Sequence, residues 1–244
     1  MSTLGTADEI INAAAQELGL PPVSLSSAAG DASGYQMLGL LNALGDELNR
    51  VQDWQFLEKQ MGFIADGIKD EFPMPADFGR QVNQTEWNTS MRRPMQGPVS
   101  PQVWAWNKFG IVAVGVYFQY RILHNKYTVY PVPGAGQEFA MYYISKNWVI
   151  DGTSPDPQNP TYLDRILHAT DKPLYDRRVM IAGLKVKMWG QKGFDTTILQ
   201  EEFNYLLGSE KAQNQGAPVI NLSGGQGRLL ISMANVPDGT YYGN

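Results

Sequence analysis

The stretch from Phe72 to Trp106 constrains this chain more than any other, because it can form neither one helix nor one long strand. Pro73 and Pro75 fix φ near about −65° and push the residues before them out of helical geometry. Asp77 suits a turn after Pro75, and Gly97-Pro98 and Pro101 interrupt the backbone again further on. Between these breaks stand Phe78, Trp87, Trp104 and Trp106, large apolar side chains that ordinarily bury most of their surface, with the indole N–H kept for a partner. The expectation is a series of turns anchored by aromatics into a core.

Amphipathic helices are predicted on either side. Thr6 with Glu9 three residues on has the spacing of a capping box. Ile10, Ile11, Ala14 and Leu18 then line one side, and Gly19 before Pro21-Pro22 ends the helix. A small polar loop is expected over Ser24–Ser33. Leu38, Leu41, Leu44, Leu48 and Val51 recur at steps of three and four, predicting a second helix. Gly39 and Gly45 weaken it by about 1 kcal/mol each relative to alanine, a cost met where helices approach closely. Downstream, Asp171 as cap and Pro173 at the first position predict a third helix, with Leu174, Ile181, Leu184 and Met188 facing one way and Gly190 and Gly193 ending it. A fourth runs from Asp195 to about Gln213, burying Ile198, Leu199, Phe203, Leu206 and Leu207.

Between the helical segments the period becomes that of strands. Phe56–Ile64, a turn at Asp66-Gly67 and Ile68–Phe72 read as a hairpin. Ser100 and Pro101 start a short helix through Lys108. Val114–Ile122 and Lys126–Val132 pair across His124-Asn125, Val116, Phe118, Tyr120 and Ile122 sharing a face. After Pro133–Gly136, Glu138–Ile150 is one long strand, followed by a loop over Asp151–Asn159. Such a run of antiparallel strands predicts a β-sandwich or partly open barrel.

Composition removes several chemistries. The chain has 244 residues, no cysteine and only two histidines, so disulfides, thiolate metal sites and cysteine nucleophiles are excluded. His124 and His168 have no second ligand at helical spacing, and Asp151, Asp156 and Asp164 lack the spacing and glycine of a calcium loop. No Gly-x-Ser-x-Gly turn is present, and Gly224-Gly225-Gln226-Gly227 lacks the continuation of a phosphate loop and reads as a hinge. No cofactor is expected. No 18-residue apolar run and no charged-then-apolar leader occur, so neither a membrane span nor a signal peptide is expected. Asp77 and Glu86 are the one carboxylate pair to weigh as acid and base in a sugar-cleaving site. The turn context of Asp77 and the position of Glu86 before Trp87 favour structural roles for both. The net charge is −5, with residues 1–56 strongly acidic and Lys172, Arg177, Arg178, Lys185, Lys187 and Lys192 crowded together later. Those bases are expected to complement the acidic segment, within or between subunits.

Pro73-x-Pro75-x-Asp77-Phe78-x-Arg80, then Trp87, then Gly97-Pro98-x-x-Pro101-x-x-Trp104 resembles the tubular tail protein A family, the head-to-tail adaptors of short-tailed bacteriophages, over roughly residues 34 to 212. The resemblance implies a non-enzymatic virion protein, assembled in the host cytoplasm. Such a protein forms a twelve-membered ring under the portal protein, offers its other end to the tail nozzle, and passes double-stranded DNA through its lumen. The alternative reading is a carbohydrate-binding or depolymerising tail protein. The expected fold is α+β: a discontinuous antiparallel helical bundle (residues 1–54 and 170–215), an inserted antiparallel β-sandwich or barrel-like region (55–169), and an extended tail (216–244). The tail carries apolar residues at Leu229, Leu230, Ile231, Met233, Tyr241 and Tyr242. With a glycine hinge before it, it is expected to serve as an assembly arm that adds to a neighbour's sheet edge or groove.

Overall fold

Thr6 and Glu9 close the expected capping box. The Glu9 N–H donates to Thr6 Oγ1 at 3.2 Å, and the Thr6 N–H donates to Glu9 Oε2 at 3.1 Å. They open α1 (Ala7–Glu17), which buries Ala7, Ile10, Ile11, Ala14 and Ala15. The computed structural model describes residues 4–23, 25, 32–110, 117–156 and 158–215. The chain divides into two units, Met1–Asn214 and Gln215–Asn244. The proposed arm, with Leu229, Leu230, Ile231, Met233, Tyr241 and Tyr242, lies outside the described residues.

The second helix, α2 (Ala32–Val51), buries Met37, Leu40, Leu41, Leu44 and Leu48. Its inward stripe is rotated from the expected one. Leu38 is half-buried and Val51 is exposed, because Met37 and Leu40 share the core side with Leu41 and Leu44. Ser33, expected in a loop, is already helical. Trp54 folds back under the helix end and donates its indole N–H to the Leu48 carbonyl at 2.7 Å. One turn of 3₁₀ helix, Gln55–Leu57, leads into β1 (Glu58–Ile64).

The hairpin expected over Phe56–Phe72 does not form. β2 (Glu71–Pro73) joins a different sheet, while β1 pairs antiparallel with β8 (Glu138–Ser145), Met61 standing opposite Met141. Asp66 explains the divergence. Its Oδ1 accepts the N–H groups of Ile68 at 2.9 Å and Lys69 at 2.8 Å, a turn that sends the chain out of the sheet. Phe63 then stacks on Phe139, its partner in the β1–β8 ladder, at 5.1 Å and on Phe72 of the other sheet at 4.0 Å. β3 (Phe78–Gln81) and β4 (Trp87–Asn88) also pair with β8, and β5 (Arg93–Pro94) pairs with β4. After α3 (Pro101–Phe109), β6 (Gln119–Leu123) and β7 (Lys126–Tyr130) pair across His124 and Asn125, both at positive φ, and β7 also takes β2. The start of the strand expected from Val114 lies outside the described residues. Strands of both sheets enclose a second core that includes Met61, Phe72, Tyr120, Tyr127, Val129, Phe139 and Met141.

The long strand expected over Glu138–Ile150 is broken after Ser145. The Lys146 N–H is held by the Asp77 carbonyl at 2.9 Å and the Asn147 N–H by Ser145 Oγ at 3.1 Å. Trp148 can then enter the helical core, and β9 (Val149–Ile150) pairs with β10 (Tyr162–Leu163) and β11 (Lys172–Pro173). Pro173 therefore belongs to a strand and does not start a helix. Asp176 caps α4 (Arg177–Gln191), accepting the Arg178 N–H at 2.8 Å. Asp171 is fully buried, and its carboxylate accepts the N–H groups of Gly152, Leu167 and His168 at 3.0, 2.8 and 2.8 Å. α5 (Thr197–Gln215) packs through half-buried Phe203, Leu206 and Leu207, while Ile198, expected inside, is exposed. The architecture is mixed α+β with antiparallel sheets.

Trp148 joins these parts by lying over Gly45. A methyl group at Gly45 would stand only 2.2 Å from the nearest carbon of the indole, whereas one at Gly39 meets nothing within 4 Å. Gly39→Ala is therefore expected to stabilise the protein by about 0.5–1 kcal/mol, the helical preference of alanine. Gly45→Ala should destabilise it by about 1–3 kcal/mol or more through overpacking. Urea denaturation of the two variants checks both signs; equal shifts would show that the Trp148 contact imposes nothing.

Candidate assembly interface

The motif residues sort into two groups. Asp77, Phe78 and Arg80 come together where sheet and helix meet. The Asp77 carboxylate accepts from Lys59 Nζ at 2.5 Å, Tyr143 OH at 2.9 Å and Ser145 Oγ at 3.0 Å, tying β1 and β8 to the turn before β3. Arg80 closes the C-terminal end of α2. It donates to the Asn49 carbonyl at 2.6 Å and to the Gln52 carbonyl, and it pairs with Asp53 at 2.9 Å. Orphan carbonyls at a helix end favour such a cation. Pro75 sets the turn, its carbonyl accepting the Phe78 N–H at 3.0 Å, and Pro73 ends β2. The remaining motif residues stand apart. Trp87 is on β4, Gly97 packs against Tyr120 and precedes Pro98 through a cis peptide, and Trp104 is on α3.

The expectation that Phe78, Trp87, Trp104 and Trp106 form core is corrected by the structure. Phe78 and Trp104 are half-buried, and Trp87 and Trp106 are exposed. The core is filled instead by Trp54, Trp148, Tyr120 and Tyr127.

Asp77 and Glu86 sit in unlike surroundings. Burial works to raise the Asp77 carboxyl, but the hydrogen bonds from Lys59, Tyr143 and Ser145 and the Lys59 charge hold it below the ordinary carboxylate range. Burial raises Glu86, and hydrogen bonds from the backbone, Tyr120 and Gln81 offset this only in part. At 2 % exposure Glu86 offers no face to a sugar ring, and its carboxylate already accepts from the Gln81 amide. Their partners account for both carboxylates without a substrate.

α3 turns the wrong face outward. Ser100 Oγ caps it through the Val103 N–H at 3.3 Å. Trp104 meets Tyr130 edge-on at 6.2 Å, Asn107 donates to the Gln119 side chain, and Lys108 pairs with Asp70 at 3.2 Å. Those three residues fall on one side of a helix with about 100° between residues. Val103, Trp106 and Phe109 fall on the other, 43 %, 70 % and 87 % exposed. No residue of α3 is buried. On α5, Ile198 and Tyr205, seven residues apart and so on one side, are 80 % and 78 % exposed, with exposed Glu201 between them. Clustered exposed apolar residues such as those of α3 mark interaction sites. The sequence carried a missed signal for α3: Trp104 and Trp106 are two residues apart, so one helix cannot bury both.

Three of the expected bases, Arg178, Lys185 and Lys187, complement the acidic N-terminal segment within the chain. Lys185, only 5 % exposed, sits between Glu17 at 2.7 Å and Glu202 at 2.8 Å. Arg178 reaches Glu17 at 2.8 Å and Lys187 reaches Glu47 at 2.6 Å. The chain matches no protein-family model, and no curated protein is significantly similar to it in sequence.

Trp106→Ala and Phe109→Ala should each change monomer unfolding free energy by less than about 0.5 kcal/mol, as for surface sites. Tyr120→Ala should cost about 3–5 kcal/mol, as for a buried aromatic. A large loss at Trp106 would place it inside the fold and remove the interface. The two carboxylates predict opposite pH behaviour. The folded pKa of Asp77 is depressed, so its contribution is present above its unfolded value of about 3.9 and is lost as pH falls through the folded value. Asp77→Asn should therefore destabilise near neutral pH, with the deficit closing in acid. The folded pKa of Glu86 is raised, so its ionised form opposes folding near neutral pH. Glu86→Gln, neutral at every pH, should therefore raise stability at pH 7, with the gain closing in acid. Thermal melts from pH 3 to 7 check both.

Proposed function

We propose that this chain is a structural head-to-tail adaptor of a short-tailed virion, a ring subunit between the portal protein and the tail nozzle. The observation that carries the reading is the inverted amphipathicity of α3, whose polar side docks on its own chain while Val103, Trp106 and Phe109 face outward. The outer side of α5 is different in kind, Ile198 and Tyr205 standing either side of Glu201. Two unlike faces suit a heterologous contact, the α3 face of one copy seating on the α5 face of the next. Such contacts generate a ring when the rotation closes. The motif from Pro73 to Trp104 supports the same reading by its resemblance to the adaptors.

In this reading the helices form a discontinuous antiparallel bundle carrying the β region as a sandwich-like insertion. Residues 216–244 serve as the arm that reaches a neighbour or the portal. Twelve copies surround a lumen through which double-stranded DNA passes, and the acidic balance of the chain, −5 overall, keeps that DNA from being gripped. The protein acts without catalysis or cofactor, in the virion, after assembly in the host cytoplasm.

Mass photometry of the wild type and of Trp106→Asp/Phe109→Asp, each alone and with portal-bearing capsids, tests the proposal. The wild type is expected as a ring, or as a monomer that attaches to capsids, and the variant as a folded monomer that does neither. A wild type that neither forms rings nor attaches contradicts the reading, and a stable trimer favours a depolymerising tail protein.

A further inference from the structure

A cleft of about 700 Å³ opens where α2, β3 and the loop after β10 meet, within the size range of ordinary ligand sites. Its charged lining is Arg50, Arg80, Lys146 and Arg165 against Asp46 and Asp164. Arg80 is committed to the end of α2 and to Asp53. Arg165 reaches Asp164 only at 3.5 Å. Arg50 and Lys146 have no ion pair or side-chain hydrogen bond among the described residues. Arg50 stands in the last turn of α2, where a cation is favoured in its own right, but Lys146 has no such role. In a chain of net charge −5, where Arg178, Lys185 and Lys187 of α4 are paired internally, this is a local excess of positive charge with concave walls. Walls of low dielectric focus such a field on an anion.

The rest of the lining narrows the ligand class. Asp46 accepts one hydrogen bond, from the Trp148 indole at 3.3 Å, and Asp164 one long one from Arg165. Both keep capacity to accept N–H groups, and both repel a phosphate carrying its full charge. A polypeptide offers what this lining needs, carboxylates for Arg50, Lys146 and Arg165 and backbone N–H donors for Asp46 and Asp164. A DNA backbone presents acceptors only. Phe78 on the same wall supplies apolar surface for a side-chain stem.

We propose that this cleft binds an acidic peptide segment of a partner protein, its carboxylates seated between Arg50, Lys146 and Arg165. The site stands whether or not the chain closes into a ring. The test is fluorescence anisotropy of the full chain with three labelled probes: a hexapeptide of alternating glutamate and serine, its glutamine counterpart, and a six-nucleotide single-stranded DNA. The glutamate peptide is expected to bind most tightly and to weaken as salt is raised from 50 to 300 mM. Arg50→Glu/Lys146→Glu should lower that affinity at least tenfold with its thermal midpoint kept. Arg92→Glu/Lys192→Glu, the same charge change outside the cleft, should alter it less than threefold. The proposal is overturned if the glutamate peptide shows no binding, if the DNA binds as tightly as the peptide, or if both double variants lose affinity alike. If the cleft variant fails to fold, Lys146→Gln alone supplies the comparison, with at least a threefold loss expected and an unchanged affinity counting against the site.

Discussion

Trp148 lies over Gly45, and the geometry of the helical core follows from how close that approach is. The indole enters from the segment between β8 and β9, so the contact fixes the end of the main sheet against the middle of α2. Three polar handles hold the aromatics around it. Trp148 donates to Asp46 at 3.3 Å, Tyr175 donates to the Gly45 carbonyl at 3.3 Å, and Trp54 donates to the Leu48 carbonyl at 2.7 Å. Tyr175 lies 5.7 Å from both indoles. Each large apolar group thus buries its ring and keeps its one polar atom satisfied, the condition on which buried tryptophan and tyrosine stabilise a fold.

From that contact the order passes outward through Asn49. Its amide donates to the Ser145 carbonyl at 3.1 Å while its own carbonyl accepts from Arg80. Ser145 in turn donates to Asp77. The Asp77-Phe78-x-Arg80 segment is therefore the fastening of sheet to helix, and the turns imposed by Pro73 and Pro75 deliver it there. α3 is attached apart from that junction, through Trp104, Asn107 and Lys108, with Val103, Trp106 and Phe109 turned outward.

Helices with clean caps and stripes were legible in the sequence. The Thr6–Glu9 box, the Ser100-Pro101 start and the His124-Asn125 turn are local, and the residues that make them adjoin one another. What was not legible depended on partners far along the chain. The pairing of β1 with β8 sets Met61 against Met141, eighty positions on, and no local period reveals it. Asp171 was misread as a cap because a buried carboxylate that closes loops has the same neighbours in sequence as one that starts a helix. Of the proposed site, Arg80 and Asp77 were visible as a motif but not as a junction. The outward side of α3 was hidden by the assumption that tryptophan belongs inside.

A chain that exposes Trp106 and Phe109 on one helix and Ile198 and Tyr205 on another leaves large apolar side chains in water at two separate places. Joining unlike faces covers both at once and propagates around an axis. The chain has no cysteine, so single introduced thiols report contacts without background. Bismaleimide cross-linking of Trp106→Cys and Ile198→Cys variants, each alone and mixed, tests the head-to-tail contact most directly. The account predicts covalent dimers in the mixture, linked between positions 106 and 198, and none from either variant alone. Dimers from Trp106→Cys alone, or no cross-link in the mixture, would contradict it.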